Sequence, residues 1–196
     1  MILKYKSQYL FFSQVELLFS NRIYANIFAD KNNKTLLETI DSTRYKKFKS
    51  EVMDNYQEFL DWPLGKFILK LKNDQDNFYL RFLNKYGDET YCQFRIEDKI
   101  FNNKKGLYIY YIDSDLKYIG RSLDHFKKRI NYGYGKIHPK NCYIDGQATN
   151  CHLNNLITQV KDCIKFAVYP LIQNDEIKIM EKELIIKYTP EWNLQF

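Results

Sequence analysis

Two tyrosines, an arginine and a glutamate stand where their chemistry can be combined. Tyr108 and Tyr118 lie in two short aromatic-rich runs on either side of Asp113-Ser114-Asp115. A phenol takes or gives a proton. Its unperturbed pKa of about 10 means that nearby positive charge has to lower it for work near neutral pH. Arg129 follows in a basic, helix-patterned segment, three residues after Phe126. Its stem can rest on apolar neighbours while its planar, permanently charged guanidinium clamps a phosphate. Glu181 lies inside an apolar helical stripe, four residues after Ile177 and four before Ile185. A lone carboxylate on such a face is costly unless something pairs with it, and a divalent cation would do so.

The elements that must position these groups follow from periodicity. Residues 106–130 read as strand, turn, strand, helix. In the first run Leu107, Ile109 and Tyr111 fall on one face and Tyr108, Tyr110 and Ile112 on the other. An odd loop centred on Asp113 predicts Tyr108 opposite Tyr118, the two phenols sharing a face. A two-residue turn at Ser114-Asp115 would separate them unless a bulge corrected it. The helix after Gly120 is expected to begin at Ser122 or Asp124, with Leu123, Phe126 and Ile130 as its apolar face. Residues 131–147 read as a long loop, 152–164 as a helix and 166–172 as a third core strand. A last helix over 175–188 has Asp175 and Glu176 suited to its N-terminal dipole.

Gly106-Leu107-Tyr108, then Tyr118-Ile119-Gly120, resembles the paired signature of the GIY-YIG nucleases, with leucine in place of the middle isoleucine. Arg129, Glu181 and the terminal Pro190-Glu191-Trp192-Asn193 follow in the family's order. The resemblance covers roughly residues 104 to 196. It implies metal-dependent phosphodiester hydrolysis: Tyr108, assisted by Tyr118, takes the proton from the attacking water. Arg129 stabilises charge on phosphorus, and Glu181 holds one Mg2+ or Mn2+ ion. Gly120 and Asn193 would be supporting residues, Asn193 tying the last segment to the site. Two departures stand out. The gap from Gly120 to Arg129 is one residue longer than in many relatives, which makes Lys128 a substitute candidate. Where some relatives carry a histidine or tyrosine four residues after the arginine, this chain has Gly133. Tyr132, Tyr134 and His138 are the candidates for that role.

Composition sets the bounds. The chain has 196 residues, a net charge of +6, 45% hydrophobic and 17% aromatic residues. No apolar run is of spanning length and no secretory h-region is present, so the expectation is a soluble, cytoplasmic protein without a membrane partner. Abundant Lys, Asn, Ile and Tyr suggest an AT-rich genome, of bacterial or phage type. Between 117 and 140, seven basic residues face one acid, and seven minus one equals the whole chain's +6. A solvated helix face is the plain explanation. Beside a nuclease-like hairpin, a phosphate-contacting stripe of Arg121, Lys127, Lys128, Lys136, His138 and Lys140 is preferred. Cys142, Cys151, His152 and Cys163 lack any CxxC spacing, so core packing is preferred to zinc.

In the N-terminal half, Ser13-Gln14-Val15-Glu16 has a capping-box pattern, predicting a brief helix over 13–20. Tyr45, Phe48, Val52, Tyr56 and Phe59 predict a helix over 42–60, ended by Pro63 and Gly65, with the aromatics as core. Runs at 66–72, 78–83 and 90–96 read as an antiparallel strand meander. Asn102-Asn103-Lys104-Lys105 is the expected boundary, giving an α+β region over 1–103 for target recognition or dimerisation. Residues 104–196 then form an α+β nuclease domain with a three-stranded, mixed or antiparallel sheet flanked by helices. The expected function is a restriction-like, sequence-specific DNA endonuclease, with a homodimer as the simplest way to cut both strands. The alternatives are a repair or homing-type nicking nuclease and an inert nucleic-acid-binding module.

Overall fold

The computed structural model describes residues 1–194 and is of mixed α+β class, with antiparallel sheets flanked by helices. Among the described residues no helix is long and apolar enough to cross a membrane. The chain divides into two compact units, and the division is not the expected one at 103/104. One unit comprises Met1–Arg22, Cys92–Lys136 and Leu156–Phe196; the other comprises Ile23–Tyr91 and Ile137–Asn155.

The first unit is built on a four-stranded sheet. Its order is β3 (Ser13–Val15), β8 (Lys165–Pro170), β6 (Gly106–Ile112), β7 (Asp115–Ser122). All three pairings are antiparallel. The sheet has four strands where three were expected, because Ser13–Val15 pairs with the edge of β8 instead of starting a helix. A capping pattern is a local preference, and a row of open strand hydrogen bonds overrides it. The preceding hairpin, β1 (Ile2–Tyr5) with β2 (Gln8–Phe11), places Leu3, Tyr5 and Leu10 in one apolar cluster with Leu107, Ile109, Ile119 and Ala167. Ile177, Met180, Leu184 and Ile185 of α6 (Asn174–Tyr188) complete that cluster. Met1–Arg22 therefore belongs to the core that also holds the tyrosine hairpin. Residues 102–105 also lie inside this unit, where the carbonyls of Asn102, Lys104 and Lys105 accept from Lys127, Phe126 and Leu171.

The second unit departs most from expectation. Residues 66–72, expected as a strand, lie in α3 (Leu64–Asn73), which buries Leu64, Phe67, Ile68 and Leu71 at helical spacing. Pro63 stands at its N-cap and so opens this helix. Residues 78–83 fall in a 3-10 segment, Asn77–Phe82, started by the Asp76 carboxylate accepting from the Phe78 N–H at 2.9 Å. Short apolar runs carry too little periodicity to separate the two states. The expected helix over 42–60 is broken into α2 (Lys49–Asn55) between two 3-10 turns, α1 (Leu36–Ile40) lying before it. Tyr45, Phe48 and Val52 are nevertheless buried, as their spacing predicts, and Phe82 meets Phe48 and Phe67 at ring separations of 5.2 and 6.0 Å. Of the three expected meander strands, one forms: β5 (Tyr91–Arg95), paired with β4 (Leu18–Tyr24), and most of it belongs to the first unit.

If the N-terminal hairpin is part of this core, Leu10→Ala should cost about 2–5 kcal/mol, the range for large-to-small changes at fully buried positions. Urea denaturation followed by circular dichroism measures it. A hairpin that merely decorates the unit would leave the midpoint unchanged.

Candidate active site

The hairpin solves its register differently from the expected odd loop. Ile112 pairs with Asp115, so the turn has two residues, Asp113 and Ser114, with Asp113 at φ +52°. The register then shifts between Tyr110 and Tyr111, leaving Lys117 as the extra residue of a bulge. Tyr118 consequently lies opposite Tyr110, and Tyr108 lies opposite Gly120. The expectation of Tyr108 directly opposite Tyr118 is thus corrected by two residues, while the bulge keeps both phenols on one face. Their rings stack at 6.0 Å with 28° between planes. Gly120 makes the contact possible: a Cβ there would come within 2.5 Å of the Tyr108 ring and 2.6 Å of Tyr118. Gly106, at φ +146°, holds a backbone conformation that L side chains rarely adopt. Both signature glycines therefore answer to local geometry.

Arg129 ends α4 (Phe126–Arg129), a single turn that starts later than Ser122 or Asp124. Its Nε–H donates to the Tyr108 hydroxyl at 3.3 Å, and its guanidinium sits 5.4 Å from the centre of the Tyr134 ring. Lys128, the substitute candidate, is turned to Asp124. The segment expected as a loop continues instead as a π-turn, Ile130–Tyr134. Asn131 anchors it through both the N–H and the carbonyl of Ile96, at 2.9 and 3.1 Å. This turn sends Tyr134 inward, where its hydroxyl meets that of Tyr110 at 3.1 Å, and leaves Tyr132 76% exposed. Of the three candidates for the extra role, Tyr134 is the one brought to the tyrosine face. Tyr110 also belongs to this cluster. Its alternation with Tyr108 in β6 was the signal available in the sequence.

The electrostatics are those of a dry phenol cluster around one cation. Tyr108, Tyr110 and Tyr134 are fully buried, and Tyr118 is 7% exposed. Burial pushes the Tyr118, Tyr110 and Tyr134 phenols well above the ordinary value, although Arg129 pulls each of them down. The surrounding phenols, Tyr108 first, hold the Arg129 guanidinium above its own ordinary value.

Glu181 is buried, 8% exposed, within the stripe of Ile177, Met180, Leu184 and Ile185 on α6. Its Oε2 accepts from Nη1 of Arg121. Burial raises the Glu181 carboxyl, and Arg121 and then Arg129 oppose that shift. Among the described residues no group of three or more His, Cys, Asp or Glu could hold a metal. A single carboxylate fits an ion such as magnesium, which keeps several waters and takes its other ligands from substrate.

Asn193 clasps the hairpin: its Oδ1 accepts from Ile119 N–H at 3.0 Å and its Nδ2 donates to Ile119 carbonyl at 2.8 Å. The Trp192 N–H donates to the bulged Lys117 carbonyl at 2.9 Å. These bonds tie the terminal motif to the strand of Tyr118.

Arg121 is engaged by Glu181 and Lys128 by Asp124. Lys127 and Lys136 are exposed in the sheet-bearing unit, while His138 and Lys140 fall in the other unit. His138 serves its own backbone: its Nδ1 accepts from the Lys140 N–H at 3.2 Å, capping the 3-10 turn Pro139–Cys142. Cys142 and Cys151 are buried, Cys163 is exposed, and His152 lies 4.4 Å from the Tyr86 ring.

Two outcomes are expected. Gly120→Ala should cost about 1–3 kcal/mol through overpacking against two buried rings, read by urea denaturation. For Glu181, a folded pKa above 4.5 means that the folded state binds more protons there than the unfolded chain does just above that pH. Its contribution to stability is present at lower pH and is lost as pH rises through the folded value. Relative to Glu181→Gln, the parent should therefore lose stability as pH rises from the ordinary carboxylate range through the raised folded value; a difference independent of pH contradicts the shift. No protein-family model, curated protein or solved structure matches the chain.

Proposed function

We propose that this chain is a metal-dependent DNA endonuclease of GIY-YIG type, restriction-like in cutting at a specific sequence. One observation carries the reading: Tyr108, Tyr118 and Arg129 gather on one face of the sheet, while Glu181 feels the charge of the same Arg129. The order hairpin, arginine helix, third strand, glutamate helix and clasping asparagine supports the same reading.

In this mechanism Tyr108 receives the proton of the attacking water, its hydroxyl oxygen held in place by the Arg129 Nε–H at 3.3 Å. Tyr118 stacks on Tyr108 and fixes the ring, since burial disfavours a phenolate at Tyr118 itself. Arg129 would supply fixed positive charge to the pentavalent phosphorus centre. Glu181 would hold a magnesium or manganese ion, with Arg121 swinging to a phosphate from its half-exposed position. Such an ion, when bound, would neutralise charge on the phosphate and on the leaving oxygen.

Supercoiled and linear DNA incubated with Mg2+ test the proposal. The parent should give discrete fragments, and Glu181→Ala, Tyr108→Phe and Arg129→Ala should each slow cleavage by about 100-fold or more. The single-turnover rate of the parent should rise with pH over the alkaline range. Intact DNA under every condition, with salt-sensitive binding retained, would replace the proposal by the inert binding module.

A further inference from the structure

The sheet-bearing unit holds a basic concavity lined by none of the four tyrosines of the proposed active site. Its volume is about 340 Å³, within the range of small-molecule sites and of the order of a single nucleotide. Gln93, Arg95, Lys127, Asn131, Tyr132 and Lys136 supply its polar and aromatic lining. Three of its lining side chains are cations and one, Glu97, is an acid. Arg95 pairs with Glu97 at 2.7 Å, but both are well exposed, so water screens that pair. The walls are pinned. Asn131 bonds both backbone groups of Ile96, and Phe94 N–H donates to the Gly135 carbonyl at 2.9 Å.

We infer that this groove binds an unpaired stretch of DNA, with a base stacked on Tyr132 and the flanking phosphates on Lys127 and Lys136. The observation that separates this from a general phosphate contact is the ring itself. Lysines alone would serve a duplex equally well, because duplex phosphates are exposed. An aromatic face offered to solvent gains from DNA only where a base face is free, and in a duplex the base faces are stacked. The π-turn produces the arrangement, sending Tyr134 into the phenol cluster and Tyr132 out to the groove two residues earlier. One irregular turn thus links the catalytic candidates to a strand-reading surface. The inference rests on the endonuclease reading and deepens it: the substrate would carry, or expose on binding, unpaired nucleotides beside the cut.

Fluorescence anisotropy with a labelled ten-nucleotide oligothymidine and a hairpin duplex, in EDTA with the full chain, tests the groove apart from cleavage. Tyr132→Ala should weaken single-strand binding by about tenfold, the scale of one base–aromatic stack, and leave duplex binding unchanged. Tyr132→Phe should restore the parent value. Lys127→Ala and Lys136→Ala should each lower the salt slope of single-strand binding by about one unit or slightly less. Single-strand binding that is absent, or indifferent to Tyr132→Ala, overturns the groove, as does an equal loss for both DNAs. Cleavage by the parent, lost in Tyr108→Phe, would in that case leave the endonuclease reading standing. Tyr132-dependent binding without any metal-dependent cleavage would preserve the groove and remove the endonuclease.

Discussion

The pairing of β6 with β7 is the constraint from which the site follows. Strand side chains alternate, so a slip of one residue would send Tyr118 to the apolar cluster beneath the sheet. The tight turn at Asp113-Ser114 by itself imposes that wrong parity. The extra residue at Lys117 reverses it, and the reversed register brings Gly120 under the Tyr108 ring. The segment Trp192-Asn193 secures the result, because it hydrogen-bonds the bulged Lys117 and the second residue after it, Ile119. Bulge, glycine and clasp form one device, and none of the three positions Tyr118 alone.

Around that device the charges divide the labour. Arg129 is surrounded by phenols and has no carboxylate partner among the described residues, so its field is directed at hydroxyls. Arg121 takes the carboxylate, from the strand that carries Tyr118. The half-exposed arginine compensates a carboxylate that would otherwise be buried unpaired among apolar side chains. In the proposed mechanism Glu181 would exchange Arg121 for a metal ion. The two arginines, only eight positions apart, thereby serve different acids.

The sequence disclosed the parts that depend on local alternation and on side-chain type. The hairpin, the inward face of α6 with Glu181 inside it, the arginine on the following helix and the asparagine near the end are all found where the residues suggested. What it hid depends on distant partners. Ser13–Val15 becomes a strand because β8 has an open edge, which no window of sequence reveals. Residues 66–72 contain both an alternating and a helical reading, and burial of Leu64, Phe67, Ile68 and Leu71 decides between them. The bulge at Lys117 and the π-turn after Arg129 each depend on inserting one residue into a regular pattern. Periodicity arguments assume that this does not happen.

The nesting of the two units has a consequence for how the chain is made. Residues 23–91 and 137–155 all precede β8 and α6, whereas the sheet-bearing unit requires residues 13–15 to meet 166–168. During synthesis the inner unit can therefore complete its core while the outer one still lacks its third strand and its glutamate helix. Closure of the outer unit spans most of the chain, and contacts of such long sequence separation form slowly. The residues proposed for hydrolysis are thus assembled last, after the ribosome has released β8 and α6. A nascent chain carries both tyrosines and Arg129 before it has Glu181. That order leaves the proposed site incomplete until α6 has been made.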